Sequence, residues 1–557
     1  MVIGNPPFLG GSKKRRELGD DYFKALDTVF AGRVPGGADL VCYWFDKARV
    51  AIENHGLEAA GLVATQAIRA GSNRAVLTAI CATSKIVEAW SDESWVNDGA
   101  AVRVSLICFS AVVPEKAGFQ TVMLNGQAVG AIHADLSGGN ELDLTLAAGL
   151  TENVNASFEG SKKYGDFDIS GDLARQWLGV PNPHGQPNSV VVKPWRNGQD
   201  LSQRHSDKWI IDFGTNMGEG DASLFESPFG HVLQYVKPDR MKVRRERTAR
   251  LWWLHEEARV SMRKALRNLP RYIATPRVSK YRFFVFLDNS VLADTRLNVI
   301  SRSDDTTFGI LSSRMHEAWS LAQASMHGVG NDPTYNAKSC FETFPFPAGL
   351  TPADTAHQQT ESVEGGALIP AQLREQASGA GLARMSGAIL KSEAYEPPAS
   401  EPAPPGKRMQ TANASTSSAR TAEMSVRQAA IDIAKAAKKL NDLRENWLNP
   451  PEWTHKVPEV TPLGMDKSPY PDRIEPKPGI SEVDLKALHK RTLTNLYNAK
   501  PAWLSMAHQQ LDQAVAAAYG WTDYTSAMPD DEMLKRLLAL NLARSAIIFG
   551  TTHPQTP

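Results

Sequence analysis

Across residues 1–120 the chain alternates short apolar, β-branched runs with helical stretches, and nothing else in it restricts the fold as tightly. Val2-Ile3 is a short apolar start that breaks at Gly4-Asn5-Pro6-Pro7, and a helical stretch runs from Asp39 to Glu53. Gly61-Leu62-Val63-Ala64-Thr65 reads as a buried strand, a helix spans about Asn73 to Ala82, and Val102 to Phe109 (VRVSLICF) reads as another strand. Strands that alternate with helices predict an α/β unit built on a mainly parallel sheet.

The 557 residues exceed one such unit, and the prior for this length is roughly three or four domains. From about 151 to 350 turn residues become frequent and Trp and Phe dense. There Tyr281 to Leu287 (YRFFVFL), an Asp-Asn-Ser turn and Leu297 to Ile300 predict antiparallel strand pairs in a separate mixed domain. Residues 351–424 hold PPASEPAPPG (397–406) and TANASTSSA (411–419), which bury too little apolar surface to order themselves and predict a flexible linker. Beyond it, Ser425-Val-Arg-Gln428 fits a capping box ahead of Ile433, Ala437, Leu440, Leu443 and Trp447 on one helix face. A second helix carries Leu504, Ala507, Leu511, Ala514 and Ala518 and closes at Gly520, so 425–557 is expected to be a small helical unit. The expected divisions are therefore 1–150, 151–350, 351–424 and 425–557.

Charge and cysteine content narrow the class. Lys plus Arg and Asp plus Glu are 61 each, so no overall field announces a polyanionic partner or a membrane surface. The 4 cysteines are far apart without a CxxC pair, which argues against a disulfide scaffold or structural zinc and for a reducing, cytoplasmic setting. No apolar run suits a membrane span, and MVIGNPPF lacks a signal-peptide layout. The 13 histidines show no HExxH or paired spacing, so no metal site is proposed. Pro471-Asp472 followed by Glu475-Pro-Lys477 spells a nuclease-like pattern, but these residues fall in one proline-rich stretch expected to be a loop, whereas such carboxylates normally come from two adjacent strands.

The most specific chemical signal is Asn5-Pro6-Pro7-Phe8, placed just after a strand. An exocyclic or amide nitrogen has a delocalised lone pair and is a weak nucleophile. The Asn5 carboxamide oxygen and the Pro6 carbonyl can both accept from such an NH2 group and turn its lone pair toward an electrophilic methyl. Two prolines stiffen the turn so that these acceptors are pre-positioned, and Phe8 offers a stacking face to a planar base taken out of its duplex.

VIGNPPF resembles motif IV of the amino-group DNA methyltransferases, and among them the adenine-N6 enzymes. GNPPFLG, LVATQAIRAGSNR (62–74), VKPWRNGQDL (192–201), FGILSSRMHEAW (308–319), CFETFPFP (340–347) and TLTNLYNAKPAWLSMAH (492–508) resemble, in the same order, the MmeI-like (type IIL) family of fused restriction–modification enzymes. The resemblance implies a partial class I S-adenosylmethionine-dependent methyltransferase (Rossmann-like) sheet, then a mixed α/β target recognition domain and the helical unit. It implies that Asn5, Pro6, Pro7 and Phe8 form the catalytic motif, with Asn5 and Pro6 holding the adenine N6 and Phe8 stacking on the flipped base. Phe109 resembles a second aromatic base contact. Leu40 and Phe45 of DLVCYWF resemble the motif whose apolar side chains pack near the adenosine of S-adenosylmethionine.

Members of that family place a glycine-rich cofactor loop, a ribose-binding acid, a nuclease domain and a helical connector ahead of the Asn-Pro-Pro-Phe motif, and this sequence contains none of them. A truncated form that binds S-adenosylmethionine poorly when alone is the expectation. The alternative is a non-catalytic recognition subunit with a second chain supplying the cofactor half. Methylation of a protein glutamine amide would also suit Asn-Pro-Pro before an aromatic, but leaves the 151–350 region without a use.

Double-stranded DNA is the implied partner, and the sequence offers a surface for it. Between Lys237 and Arg282 stand 15 Lys or Arg against 4 Asp or Glu, a block able to neutralise several phosphates. Arg240, Lys242, Arg244, Arg245 and Arg247 are its densest part, and Arg259, Arg263, Lys264, Arg267 and Arg271 continue at near-helical spacing. Lys193 and Arg196 in VKPWRNGQDL are further DNA-binding candidates, and Arg296, Asn298, Arg302 and Arg314 are candidates for base edges, since Arg suits guanine and Asn adenine.

Overall fold

The computed structural model describes residues 1–97, 100–111, 121–138, 142–243, 245–327, 332–373 and 425–550. Strand β1 (Val2–Gly4) is followed by helices α1 (Gly11–Leu18), α2 (Asp20–Val29) and α3 (Cys42–Glu53), strand β2 (Ala59–Thr65) and helix α4 (Gly71–Thr83). Then come β3 (Lys85–Asn97), β4 (Ala100–Ser110), β5 (Val122–Leu124) and β6 (Gln127–Val129). All six strands form one sheet in the order β1-β2-β4-β3-β5-β6.

β1 is parallel to β2 and β3 to β5, but β4 runs antiparallel to both of its neighbours. The expectation of a mainly parallel sheet is corrected beyond β2. No helix separates β3 from β4, and a parallel partner needs a crossover long enough to return the chain. α3 buries Phe45, Ala48 and Ile52 on one face, and α4 buries Val76, Leu77 and Ile80. These helical stripes meet the alternately buried Ala60, Leu62 and Ala64 of β2 to make the first core.

Two further sheets follow. β8 (Asp168–Ser170), β9 (Val192–Arg196), β10 (Lys208–Ile211) and β13 (Leu292–Ala293) pair in the order β13-β9-β10-β8. Around them Phe167, Trp195, Trp209, Phe213 and Trp252 build a second, aromatic core. β7 (Ser157–Glu159), β11 (Arg271–Pro276), β12 (Val285–Asp288) and β14 (Leu297–Ile300) pair in the order β12-β11-β14-β7, every neighbour antiparallel.

That last sheet shares one continuous core with the C-terminal helices, which corrects the reading of 425–557 as a separate unit. Residues Asp305 to Leu311 are buried on all sides of their helix, Asp305–Ser312, so it needs a partner beyond the sheet. The long helix Val426–Leu448 supplies it. They meet at Gly309, where an added Cβ would lie 2.6 Å from Ile433 Cγ2 and 2.9 Å from Ala437 Cβ. The helix Asp530–Gly550 closes the unit: Asn541 exchanges hydrogen bonds of 2.8 and 2.9 Å with the Ala148 backbone and donates to the Thr343 carbonyl at 2.7 Å.

The expected linker also begins too early. Strands Thr360–Ser362 and Leu368–Pro370 form a hairpin whose Ala367 and Ile369 enter the same core. Its apolar side chains are few but well placed, a detail that composition hides. PPASEPAPPG and TANASTSSA lie outside the described residues. Ser425 caps the next helix by accepting from the Gln428 N–H at 3.1 Å, but Gln428 bonds Asp432 at 2.9 Å, so the capping box is half formed. The Pro471–Lys477 stretch is corrected as well. Arg473–Pro476 is a strand paired with Thr454–Val457, and Glu475 is held by Arg473 at 2.9 Å. No helix among the described residues is long and apolar enough to cross a membrane.

Candidate active site and nucleic-acid surface

Residues Asn5 to Gly10 connect β1 to α1 without regular structure, at the carboxyl end of a strand parallel to its neighbour. Such ends are where open α/β sheets bind ligands. Asn5 and Pro7 are exposed, Phe8 is half-buried and Pro6 is buried, so the loop presents the amide and the ring while the first proline anchors it. The Asn5 side chain makes no hydrogen bond with the described residues.

The loop is held from outside. The Leu9 carbonyl accepts from the Leu40 N–H at 2.8 Å, and the Gly11 N–H donates to Asp39 Oδ1 at 2.7 Å. Asp39 N–H in turn donates to Asn73 Oδ1 at 2.7 Å, and Asn73 Nδ2 donates to the Ala67 carbonyl at 3.3 Å. A Cβ on Gly11 would fall 2.0 Å from the Gly37 carbonyl oxygen, so only glycine permits this approach. Lys14, fully buried, donates to the Gly36 carbonyl at 3.1 Å and the Tyr43 hydroxyl at 3.0 Å and lies over the Tyr43 ring. Burial pushes its ammonium below the usual lysine range.

Three residues assigned from the sequence sit elsewhere than expected. Phe109 is 0% exposed and stacks on Phe45, ring centroids 6.1 Å apart, so it is a core residue and not a base contact. The reason is strand direction. β4 is antiparallel to β2, so its last residues pair with Ala59 and Ala60, at the end of the sheet away from Thr65. Phe45, also 0% exposed, and Leu40, 6% exposed, belong to the same core. Neither side chain faces solvent. What the sequence pattern did not reveal in the same segment is the Asp39 carboxylate and its support, Asn73. One signal was there: Gly10-Gly11 opens α1 without a capping side chain, so the cap must come from a distant residue.

The basic block is divided between inward-turned and solvent-facing side chains. Arg240 is 1% exposed and donates to the carbonyls of Tyr164, Lys163, Leu254 and Thr248 at 2.8, 2.6, 3.1 and 3.4 Å. Burial lowers its guanidinium to about 10. Arg263 makes a bidentate pair with Asp212 at 2.7 and 3.0 Å, Arg271 pairs with Asp305 at 2.9 Å, and Arg259 pairs with Glu159. Arg282 donates to Thr275 Oγ1 and the Pro276 carbonyl at 2.9 and 2.6 Å. These carboxylates lie outside the block, so a count within it overstated the free charge.

The other candidates divide the same way. Arg314 ties its helix to the C-terminal unit through the Met528 carbonyl at 2.8 Å and Asp530 at 2.6 Å. Asn298, fully buried, donates to the Tyr335 carbonyl at 2.6 Å, and Arg302 is buried against Thr355 and the carbonyls of Ser301 and Pro352. Lys193 donates to the Ser189 carbonyl at 2.7 Å and Arg196 to the Trp195 carbonyl at 2.9 Å, both half-buried and pushed down by burial. Four of these candidates, Arg240, Asn298, Arg302 and Arg314, are therefore structural. Lys242 and Arg245 are exposed, paired with Asp239 at 2.9 Å and Glu256 at 2.6 Å. Arg247, Lys264 and Arg267 are exposed with no ion-pair partner among the described residues, and the Arg296 side chain is 69% exposed. Arg244 lies outside the described residues.

A sheet that pairs two parallel strands with an antiparallel one, and carries an Asn-Pro-Pro-Phe loop at a strand's carboxyl end, defines a methyltransferase-like α/β fold, here followed by a two-sheet body and a helical part. Residues 1–120 match the family model described as MmeI, DNA-methyltransferase domain, and this segment is MmeI-like. A solved structure of the type IIL restriction–modification enzyme MmeI in complex with DNA aligns over 98% of this chain at 17% identity and a TM-score of 0.62. The chain spans 57% of that structure's length. The type IIG restriction endonuclease BpuSI aligns over 61% of this chain and 46% of its own at 9% identity, with a TM-score of 0.21 that carries no argument. No curated protein matches the chain.

Proposed function

We propose that this chain is the base-holding and DNA-recognising portion of a site-specific DNA methyltransferase of a restriction–modification system, with adenine N6 as acceptor and S-adenosylmethionine as donor. The observation that carries the reading is the exposed, unpartnered Asn5 beside a buried Pro6 in a loop clamped at the carboxyl end of β1. The donor supplies an electrophilic methyl group. On the acceptor side, Asn5 Oδ1 and the Pro6 carbonyl accept from the exocyclic NH2 and orient its lone pair, and Phe8 stacks on the extruded base. Arg245, Arg247, Lys264, Arg267 and Arg296 face solvent and serve phosphates or base edges.

Incubating the full chain with plasmid DNA and tritiated S-adenosylmethionine, then resolving the nucleosides, tests this. Label in N6-methyladenine that Asn5→Ala removes supports the reading; label in another base, or label that persists in the variant, overturns it. A second reading is favoured by the edge position of β1, where Val2 and Ile3 are 39% and 75% exposed. In it the chain recognises DNA while a second chain supplies the donor half. DNA binding without methylation until such a partner is added would select it.

A further inference from the structure

The loop from Asn5 to Gly10 has little means of holding its own shape. Pro6 and Pro7 lack N–H groups, and Gly10, at the helix boundary, has no side chain with which to cap α1. The first N–H of that helix, on Gly11, is instead satisfied by the carboxylate of Asp39, which comes from a segment 28 residues away. The anion also sits favourably at the positive end of the helix dipole.

Asp39 is itself fixed from behind. Its N–H is held by Asn73 Oδ1 at 2.7 Å, and the Asn73 amide reaches on to the Ala67 carbonyl at 3.3 Å, just beyond the end of β2. Asn73 is 7% exposed, so its carboxamide has no freedom to leave these partners for water. The next residue, Leu40, donates its N–H to the Leu9 carbonyl at 2.8 Å. A relay thus runs from the end of β2 through Asn73 and Asp39 to both the last turn of the loop and the first turn of α1. Neither Asp39 nor Asn73 belongs to the apolar core.

We propose that Asp39 and Asn73 are positioning residues that set the geometry of the Asn5–Phe8 loop for methyl transfer. They touch neither base nor donor and act through the Gly11 and Leu9 backbone. The role in transfer rests on the methyltransferase reading, while the anchoring of the loop does not.

The test uses the full chain and two readouts. Hydrogen–deuterium exchange is compared for wild type, Asp39→Ala, Asp39→Asn and Asn73→Ala. Asp39→Ala and Asn73→Ala should speed exchange in peptides covering 5–18 by about tenfold while peptides covering α3 and β2 stay protected. Asp39→Asn keeps an acceptor oxygen for Gly11 and should restore most of the protection. Unchanged exchange over 5–18, or an equal rise in α3 and β2, overturns the proposal. Methylation of plasmid DNA is measured in parallel. Asp39→Ala should lower kcat about tenfold or more at unchanged KM for DNA, with partial recovery in Asp39→Asn. An unchanged kcat overturns the positioning role. A wild type that forms no N6-methyladenine even with a partner chain supplying the donor half defeats the methyltransferase reading, and the exchange experiment then still decides whether Asp39 and Asn73 anchor the loop.

Discussion

The Asn5–Gly11 loop and the Lys237–Arg282 segment both stand out in the sequence, and the structure treats them differently. In the loop the chemistry belongs to consecutive residues. Whatever the rest of the chain does, Asn5 stays beside Pro6, and two prolines restrict the backbone that follows. In the basic segment the property is a sum, and a sum says nothing about where each charge goes. Arg263 finds Asp212, Arg271 finds Asp305 and Arg240 finds four carbonyls, partners mostly tens of residues away. Arginine is well suited to tying distant carbonyls together, because its planar fork offers five donors. An arginine-dense stretch in a globular protein is thus an ambiguous sign until its carboxylates and carbonyls are located.

The contrast breaks most visibly at Gly11. Gly11→Ala places a Cβ 2.0 Å from the Gly37 carbonyl, so the loop and the 36–40 segment must part. Any methylation should fall by two orders of magnitude or more, roughly the cost of removing one pre-organised hydrogen-bond donor from a transition state. Circular dichroism should show the remaining domains folded. If the activity survives, the clamp on the Asn5–Gly10 loop is unimportant.

Arg240 is expected to show the next largest effect, on stability and not on DNA. Arg240→Met leaves four carbonyls without their donor and should cost about 3 kcal/mol in urea unfolding, at the upper end for hydrogen bonds to a charged group. DNA affinity per folded molecule should hold. A stable variant with weak DNA binding would return Arg240 to the phosphate-binding set.

The exposed cations sharpen the other side. Arg247→Ala with Lys264→Ala should change stability by no more than about 0.5 kcal/mol. It should also lower the slope of log affinity against log salt by about 0.9 for each phosphate that is no longer neutralised. An unaltered slope would place the DNA surface elsewhere.

A separate effect, on stability alone, is a pH dependence at Asp512, whose carboxylate accepts from the Arg314 N–H at 2.8 Å and is raised to about 7, chiefly by burial. A carboxyl that binds its proton more tightly folded than unfolded loses stability as pH rises. The loss should begin near its ordinary value of 3.8 and level off above about 7. Asp512→Asn keeps an acceptor and removes the titration, so its unfolding midpoint should exceed that of wild type at pH 8 and match it near pH 4. Parallel pH profiles for the two proteins would show that Asp512 does not titrate in this range.

Much of the local architecture is legible in the sequence. The stretches read as helices or strands at Asp39–Glu53, Gly61–Thr65, Asn73–Ala82 and Val102–Phe109 fall on α3, β2, α4 and β4, because apolar spacing over a few turns or pleats is a local property. β3 is not. Its KIVEAWSDESWVN mixes charges into the apolar alternation, and two register shifts against β4 interrupt the pattern further. Without β3 the antiparallel hairpin stays hidden, and with it the fact that Phe109 lies at the end of the sheet away from the Asn5–Phe8 loop.

Residue order and short-range spacing are enough to single out the Asn5–Phe8 loop, helices α3 and α4 and strands β2 and β4. These depend on neighbours that the backbone keeps together. The direction of β4, the burial of Phe45 and Phe109, the union of the last helices with the β11–β14 sheet and the fate of each arginine come only with the folded chain. Each of these turns on which distant group fills a volume or meets a charge. Asp39 shows both sides: its helix-adjacent place can be read from the sequence, but its service to Gly11 exists only because the fold brings the two within 2.7 Å.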